Sequence, residues 1–144
     1  MTKITAKPFL KWAGGKTQLI EQIKNQLPDN IITNNFTYIE PFVGSGAVLF
    51  WMLEKFPNLE NAVINDINTD LTNCYISIKE DVENLINILS EWQSEYYLLA
   101  QNDVEKKEYY YAKRTLFNSR NSNQTTQSAL FIFLNRTCFN GLFR

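Results

Sequence analysis

Residues 38–66 constrain the fold more than any other stretch, because two apolar segments flank a glycine turn and the second segment ends in an acid. Residues 38–39 and those just before them predict a buried strand. The apolar run at 47–53 is too long for a strand and predicts a helix directly after the turn. Residues 62–64 predict a second strand. Strand, helix and strand in this order predict an α/β fold in which the turn lies at a helix N-terminus.

The turn at residues 40–46 reads EPFVGSG and is typical of a ligand-binding loop. Gly44 and Gly46 lack a β-carbon, so a ligand can press against their backbone while N–H groups of the first helical turn face it. Asp66 follows about 20 residues after Gly46, the separation at which a carboxylate reaches ribose hydroxyls. The pattern indicates a nucleotide site. The alternative is that Asp66 caps the next helix from a turn at residues 66–70.

A second informative stretch, residues 7–17, places a tryptophan, two glycines and a lysine close together. Residues 15–17 (Gly-Lys-Thr) match the end of a phosphate loop, but that motif requires an earlier glycine where Leu10 stands, and a preceding strand. A nucleoside triphosphatase is therefore disfavoured. Trp12 beside exposed backbone N–H groups suits a purine ring or a carboxylate. The alternative is that Trp12 is a core residue and the glycines form a plain turn.

Composition narrows the chemistry. The 144 residues are 44% hydrophobic, enough for one packed domain with a core. Histidine is absent, and Cys74 and Cys138 lack metal-ligand spacing, so a metal site and histidine base catalysis are not expected and both thiols are expected to be free. No apolar stretch approaches a membrane span and the N-terminus lacks a signal-peptide core, which predicts a cytoplasmic protein.

The formal net charge of −1 conceals a polarised chain. Residues 1–16 carry four lysines and no acid, and residues 109–144 carry five basic residues and no acid. Residues 54–108 hold twelve acids against four lysines. A basic surface that binds nucleic acid is one interpretation if these segments converge in space, and an ordinary solvated charge pattern is the other.

The second half of the chain predicts helices. Apolar residues recur at helical spacing in four segments, residues 69–79, 81–96, 103–117 and 127–135. The last of these is apolar nearly all round, which predicts a buried helix. In the third, Tyr109, Ala112, Leu116 and Phe117 are expected to face inward, with Lys113 and Arg114 toward solvent or phosphate. The polar break at 118–125 contains Arg120, a candidate phosphate contact.

Four stretches together resemble, in order and spacing, the Dam-type adenine-N6 DNA methyltransferases. They are KWAGGK at 11–16, EPFVGSG at 40–46, NDIN at 65–68 and LNRTCFNGLFR at 134–144. The resemblance implies an α/β fold with a doubly wound, Rossmann-like sheet that binds S-adenosylmethionine. It also implies a largely helical DNA-recognition domain inserted into that sheet. On this basis residues 1–80 are the cofactor-binding part and residues 81–144 the start of the DNA-recognition domain.

The resemblance assigns cofactor contacts. It implies that Trp12 and Lys16 contact the cofactor, that Asp66 accepts hydrogen bonds from both ribose hydroxyls, and that Ile67 lies against the adenine ring. The remaining expected contacts come from Ala13, Gly14, Pro41, Phe42, Gly44 and Gly46.

The resemblance also assigns recognition of duplex DNA, with GATC as the implied target. Asparagine and arginine read adenine and guanine edges in the major groove, and an aromatic wedge can fill the space that a flipped base leaves. A polar hairpin tip is the alternative for the last residues. The expected DNA contacts are Lys11, Arg120, Arg136, Phe139, Asn140, Leu142 and Arg144.

The family's catalytic tetrad, Asp-Pro-Pro-Tyr, does not occur in the sequence. The resemblance implies transfer of a methyl group to adenine N6 after base flipping, with no catalytic residue in this chain. We therefore expect a fragment or one piece of a split enzyme, inactive alone, with a second polypeptide carrying the C-terminal half as a partner. Restriction-modification is one role for such an enzyme. The alternative is a noncatalytic DNA-binding module or subunit.

Overall fold

The computed structural model describes residues 5–99, 101–138 and 141, and the chain divides into two compact units, Met1–Ile67 and Asn68–Arg144. In order, the first unit contains a 3₁₀ turn Lys16–Leu19, α1 Ile20–Lys24, a 3₁₀ turn Asp29–Ile32, β1 Phe36–Glu40, α2 Ala47–Lys55 and β2 Leu59–Ile64. The second contains α3 Thr69–Glu80, α4 Val82–Leu98, α5 Asp103–Ser119 and α6 Gln124–Thr137.

These elements confirm a mixed α/β chain with a small parallel sheet. The doubly wound, Rossmann-like arrangement stays a prediction. The two compact units divide after Ile67, earlier in the chain than the predicted domain boundary between residues 80 and 81. That predicted boundary also stays a prediction, because compactness alone does not mark a DNA-recognition region. No helix in the described ranges is long and apolar enough to cross a membrane.

The two strands pair in parallel, with Tyr38 opposite Ala62. Parallel neighbours need a crossover connection, and α2 provides it, as the sequence predicted. Backbone bonds continue past the strand ends: Asn65 N–H donates to Glu40 O, and Val43 N–H donates to Asn65 O, both at 2.9 Å. The residues that follow β1 and β2 therefore meet at one edge of the sheet.

One face of this sheet packs against α2. Val48, Met52 and Phe56 form the buried cluster, and the strand side chains of Phe36 and Leu59 pack against it. The ring of Phe56 meets that of Phe36 edge-on at 5.8 Å between centroids. Side chains alternate along β1, so Ile39 points the other way from Tyr38, and Val63 is its partner in β2. A register irregularity between Phe36 and Thr37 explains why Leu59 is nevertheless the partner of Phe36. Ile39 and Val63 on that opposite face are 67% and 54% exposed.

Helix α6 is the centre of the second unit and packs against α3, α4 and α5. Its buried residues include Leu130 and Leu134, as expected from its apolar sequence. At the start of α3, the Asn68 side chain accepts a hydrogen bond from Leu71 N–H at 3.0 Å. Asn68 is thus the cap of this helix, and the alternative in which Asp66 serves as the cap is wrong.

Helix α5 differs from its predicted orientation. Phe117 is buried, but Ala112 and Leu116 are exposed, so the inward stripe is narrower than expected. The Lys113 ammonium lies 3.9 Å from the centroid of the Trp92 ring, and burial lowers the pKa of this lysine. Helical periodicity predicted that Lys113 faces solvent or phosphate. It lies on Trp92 instead, because a lysine stem can cover apolar surface and its ammonium is attracted to an aromatic face.

The thiol of Cys74 should report opening of the second unit. Cys74 lies in α3 and is fully buried on the side that faces α6, with its Sγ 3.7 Å from Ser128 O. Burial raises the pKa of this thiol to about 12. Because the thiolate is the reactive form, a Cys138→Ser variant, which leaves Cys74 alone, should react with a disulfide reagent at pH 8 at least ~100-fold more slowly than the urea-unfolded chain. Labelling of the folded variant at the unfolded rate would contradict the burial of this thiol.

Candidate functional site

A cavity of about 200 Å³ lies at the carboxyl ends of β1 and β2. Three parts of the chain line it: residues 12–16, the loop at 42–45 with Ala47 at the start of α2, and Asp66. The loop after β1 meets Asp66 because the parallel strands end side by side. Residues 12–16 are far from both in sequence and line the same cavity. Seven of the predicted cofactor residues line the cavity: Trp12, Ala13, Gly14, Lys16, Phe42, Gly44 and Asp66.

The indole of Trp12 lies directly against Gly44. A β-carbon built on Gly44 would come within 3.1 Å of Trp12 Cδ1 and 3.2 Å of Trp12 Nε1. Gly44 also has a φ of 53°, in the left-handed region that residues with side chains rarely adopt. Glycine is therefore required here by both the close approach of the ring and the backbone conformation.

The carboxylate of Asp66 is held by the same glycine. Gly44 N–H donates to Asp66 Oδ2 at 3.0 Å, and this bond continues the backbone bonds that join the two strand ends. Asp66 is half-buried at the edge of the cavity. A carboxylate fixed in this way can accept hydrogen bonds from paired hydroxyl groups of a ligand, since each oxygen has two lone pairs.

Lys16 contacts the end of β1. Its ammonium lies 2.7 Å from Glu40 Oε1 and also donates to the carbonyl oxygen of Phe42. The second carboxylate oxygen of Glu40 accepts a hydrogen bond from Tyr38 OH at 2.7 Å. Burial, followed by this bond to Glu40, raises the pKa of the Tyr38 hydroxyl well above its ordinary value.

Glu40 contacts the lining residue Lys16, and sequence reasoning missed it. It is the first residue of the EPFVGSG turn, yet its position at the end of a strand suggested no role. The signal available was its alternation with Tyr38 and Phe36, which places all three side chains on the face that packs against α2. A carboxylate on an inward-facing position needs a partner, and Lys16 is the cation that the fold brings to it.

Three predicted cofactor residues lie outside the cavity lining. Pro41 is exposed. Gly46 is buried and has a φ of 84°. It is the N-cap residue of α2, and its carbonyl oxygen accepts a hydrogen bond from Phe50 N–H at 2.9 Å. Ile67 is 93% exposed, so its side chain is accessible. Their predicted roles toward a cofactor stay predictions.

The predicted DNA contacts fall into two groups. Phe139, Asn140, Leu142 and Arg144 lie outside the described residues. Of the others, Lys11 and Arg136 are exposed. The Arg120 guanidinium lies 2.5 Å from Asp70 Oδ1 and 4.2 Å from the Phe117 ring centroid. A DNA phosphate would therefore have to compete with Asp70 for Arg120.

A larger cavity, of about 520 Å³, lies in the second unit between α4 and α6 and includes Arg136 and Tyr97. Size alone does not identify a functional site. The smaller cavity is the better candidate for a small-molecule site because an indole, a fixed carboxylate, an ammonium and backbone without side chains converge there. Over the described ranges no group of three or more potential metal ligands occurs. The side chains of the smaller cavity suit an organic ligand with a flat ring and hydroxyl groups.

Similarity to known proteins defines the class as a DNA methyltransferase. The model of the D12 class N6 adenine-specific DNA methyltransferases matches residues 12–144. The chain belongs to this family, which confirms the resemblance seen in the four sequence motifs and the enzyme class at the family level.

Individual relatives agree with this assignment. The chain is 48% identical over 141 residues to the Type II methyltransferase M.MjaIII of Methanocaldococcus jannaschii. The aligned residues make up 96% of this chain and 48% of the relative. The chain is 37% identical over 142 residues to the DNA adenine methylase of Haemophilus influenzae, covering 99% of this chain and 44% of the relative. The chain thus spans about half the length of these two curated relatives.

Replacing Gly44 tests the contact with Trp12. Gly14 also has a positive φ, 74°, but a β-carbon there would meet nothing within 4 Å, so Gly14→Ala is a matched control for backbone strain alone. We expect Gly14→Ala to lower the free energy of unfolding by about 1 kcal/mol, and Gly44→Ala to lower it by about 1–2 kcal/mol more because the indole must move.

The two variants are compared by urea unfolding, in the native chain and in a Trp12→Ala background. In that background the extra loss for Gly44→Ala should disappear. An equal loss in both backgrounds would mean that Trp12 does not restrict Gly44.

Proposed function

We propose that this chain supplies the S-adenosylmethionine site and part of the DNA-binding surface of an enzyme that methylates adenine N6 in duplex DNA. The observation that carries the proposal is the convergence of Trp12, Gly44 and Asp66 at one cavity in a chain of this methyltransferase family. When bound, S-adenosylmethionine supplies an electrophilic methyl group on a sulfonium. The chain's own residues bind and orient that molecule.

Each residue has a defined task in this proposal. Asp66, oriented by Gly44 N–H, accepts hydrogen bonds from the two ribose hydroxyls and would repel a ribose that carries a phosphate. Trp12 offers a flat apolar surface to the cofactor. Gly44 lets the loop backbone come close, and the exposed Ile67 covers the adenine ring.

DNA is proposed as the second substrate, with GATC or a related tetranucleotide as the target. Lys11 and Arg136 are exposed basic residues that can contact phosphate or base edges. Arg120 would exchange its partner Asp70 for a phosphate. Sequence readout by residues 139–144 is carried by the resemblance alone, through the pairing of asparagine with adenine and arginine with guanine.

Catalysis on the flipped base is proposed to require groups outside these 144 residues. A carboxylate and a carbonyl that accept hydrogens from the adenine amino group, with a tyrosine that stacks on the base, would come from an Asp-Pro-Pro-Tyr tetrad, and no such tetrad occurs in the sequence. The chain would therefore hold the methyl donor and part of the DNA without completing the reaction.

Calorimetric titration with S-adenosylmethionine tests the site. Trp12→Ala and Asp66→Ala should each weaken binding by about tenfold or more, since each removes a direct ligand contact. Asp29→Ala, which removes an exposed aspartate of the same unit, is the matched control and should leave the affinity unchanged. Equal affinity in the native chain and all three variants would contradict the proposed site. Duplex binding without any S-adenosylmethionine binding would instead support a noncatalytic DNA-binding module.

Methyl transfer tests the division of labour. With labelled S-adenosylmethionine and a GATC-containing duplex, the chain alone should give no turnover, and addition of a polypeptide carrying the tetrad should give methylated adenine. A duplex with the same composition in scrambled order controls for sequence preference. Turnover by the chain alone would contradict the assignment of catalysis to groups outside it.

A further inference from the structure

The buried carboxylate of Glu40 has no role in the function proposed so far. Glu40 is 6% exposed, and both of its oxygens are occupied within the protein. Oε1 accepts from Lys16 Nζ and Oε2 accepts from Tyr38 OH, each at 2.7 Å. Glu40 is not among the residues that line the cavity, so it acts on the site through another residue.

Lys16 is that residue. Its side chain is 32% exposed, lines the cavity and bonds to both Glu40 and the carbonyl oxygen of Phe42. A lysine ammonium sits on a flexible four-carbon stem and loses considerable rotamer freedom when it is fixed. Two acceptors at the end of β1 fix it before any ligand arrives, and pre-organisation of this kind raises affinity by lowering the cost of ordering on binding.

We propose that Glu40 is a positioning residue that holds the Lys16 ammonium where it meets the carboxylate of the amino-acid part of the methyl donor. The inference rests on the proposed function of the cavity. The carboxylate is the anionic group of S-adenosylmethionine, so it is the part of that molecule that an ammonium attracts. Glu40 thereby favours a complete amino-acid tail over a nucleoside that lacks one.

A double-mutant cycle with two ligands tests the proposal. Glu40→Gln, Lys16→Met and the double variant are titrated calorimetrically with S-adenosylmethionine and with 5′-methylthioadenosine, which has no carboxylate. Glu40→Gln should weaken S-adenosylmethionine binding by about tenfold in the native chain but by less than about twofold in the Lys16→Met background. Binding of 5′-methylthioadenosine should change by less than about twofold in all three variants.

Glu21→Gln is the matched control. It removes the same charge from an exposed ion pair, in which Glu21 Oε2 lies 3.6 Å from Lys24 Nζ, and should change neither affinity. Glu40→Asp keeps the negative charge but, because the side chain is one methylene shorter, moves the carboxylate away from Lys16. If Glu40→Gln does not fold, Glu40→Asp carries the test and should weaken S-adenosylmethionine binding more than 5′-methylthioadenosine binding.

The outcomes separate the two proposals. If the native chain binds neither ligand, the proposed function fails and this inference fails with it. If the native chain binds S-adenosylmethionine but the effects of Glu40→Gln and Lys16→Met are additive, the positioning role alone is overturned. Equal weakening of both ligands by Glu40→Gln would likewise assign Glu40 a purely structural role.

Discussion

The parallel pairing of β1 and β2 is the constraint on which the candidate site depends. Parallel strands end at the same edge, so the loop after β1 and the acid after β2 must meet there. The pairing continues into the loops through backbone bonds at Glu40, Val43 and Asn65, and Gly44 N–H extends it to the Asp66 carboxylate. That carboxylate is thus anchored to backbone that itself belongs to the strand pairing.

The Lys16–Glu40 pair adds a second kind of constraint. A carboxylate that is 6% exposed loses most of its hydration, and a nearby ammonium offsets that loss without giving much net stability. Apolar pairs of similar volume often stabilise a fold as well as a buried ion pair does. The small net stability of such a pair agrees with the positioning role that we propose for Glu40.

Much of this structure could be predicted from the sequence because its elements follow local rules. The apolar run after the glycines gives α2, and helical periodicity gives α3 to α6. The convergence of Trp12 with Gly44 needed the family resemblance, since nothing local relates residues this far apart. Glu40 and the packing of Lys113 on Trp92 were missed for a common reason. In each, a charged side chain lies against a partner that only the tertiary structure supplies.

The charges at the cavity bear on the choice between ligand classes. Asp66 and Lys16 line the cavity, and Glu40 lies behind Lys16 as its ion-pair partner. A triphosphate carries several negative charges, whereas among the described residues Lys16 is the one ammonium that lines the cavity, and the Asp66 carboxylate would repel phosphate. A phosphate loop is different, because cations and free N–H groups face the phosphates there. A ligand with a positive centre, neutral hydroxyl groups and a single carboxylate for the Lys16 ammonium fits the same arrangement. The electrostatics of the cavity thus disfavour the nucleoside triphosphatase that residues 15–17 suggest, independently of the missing glycine at Leu10.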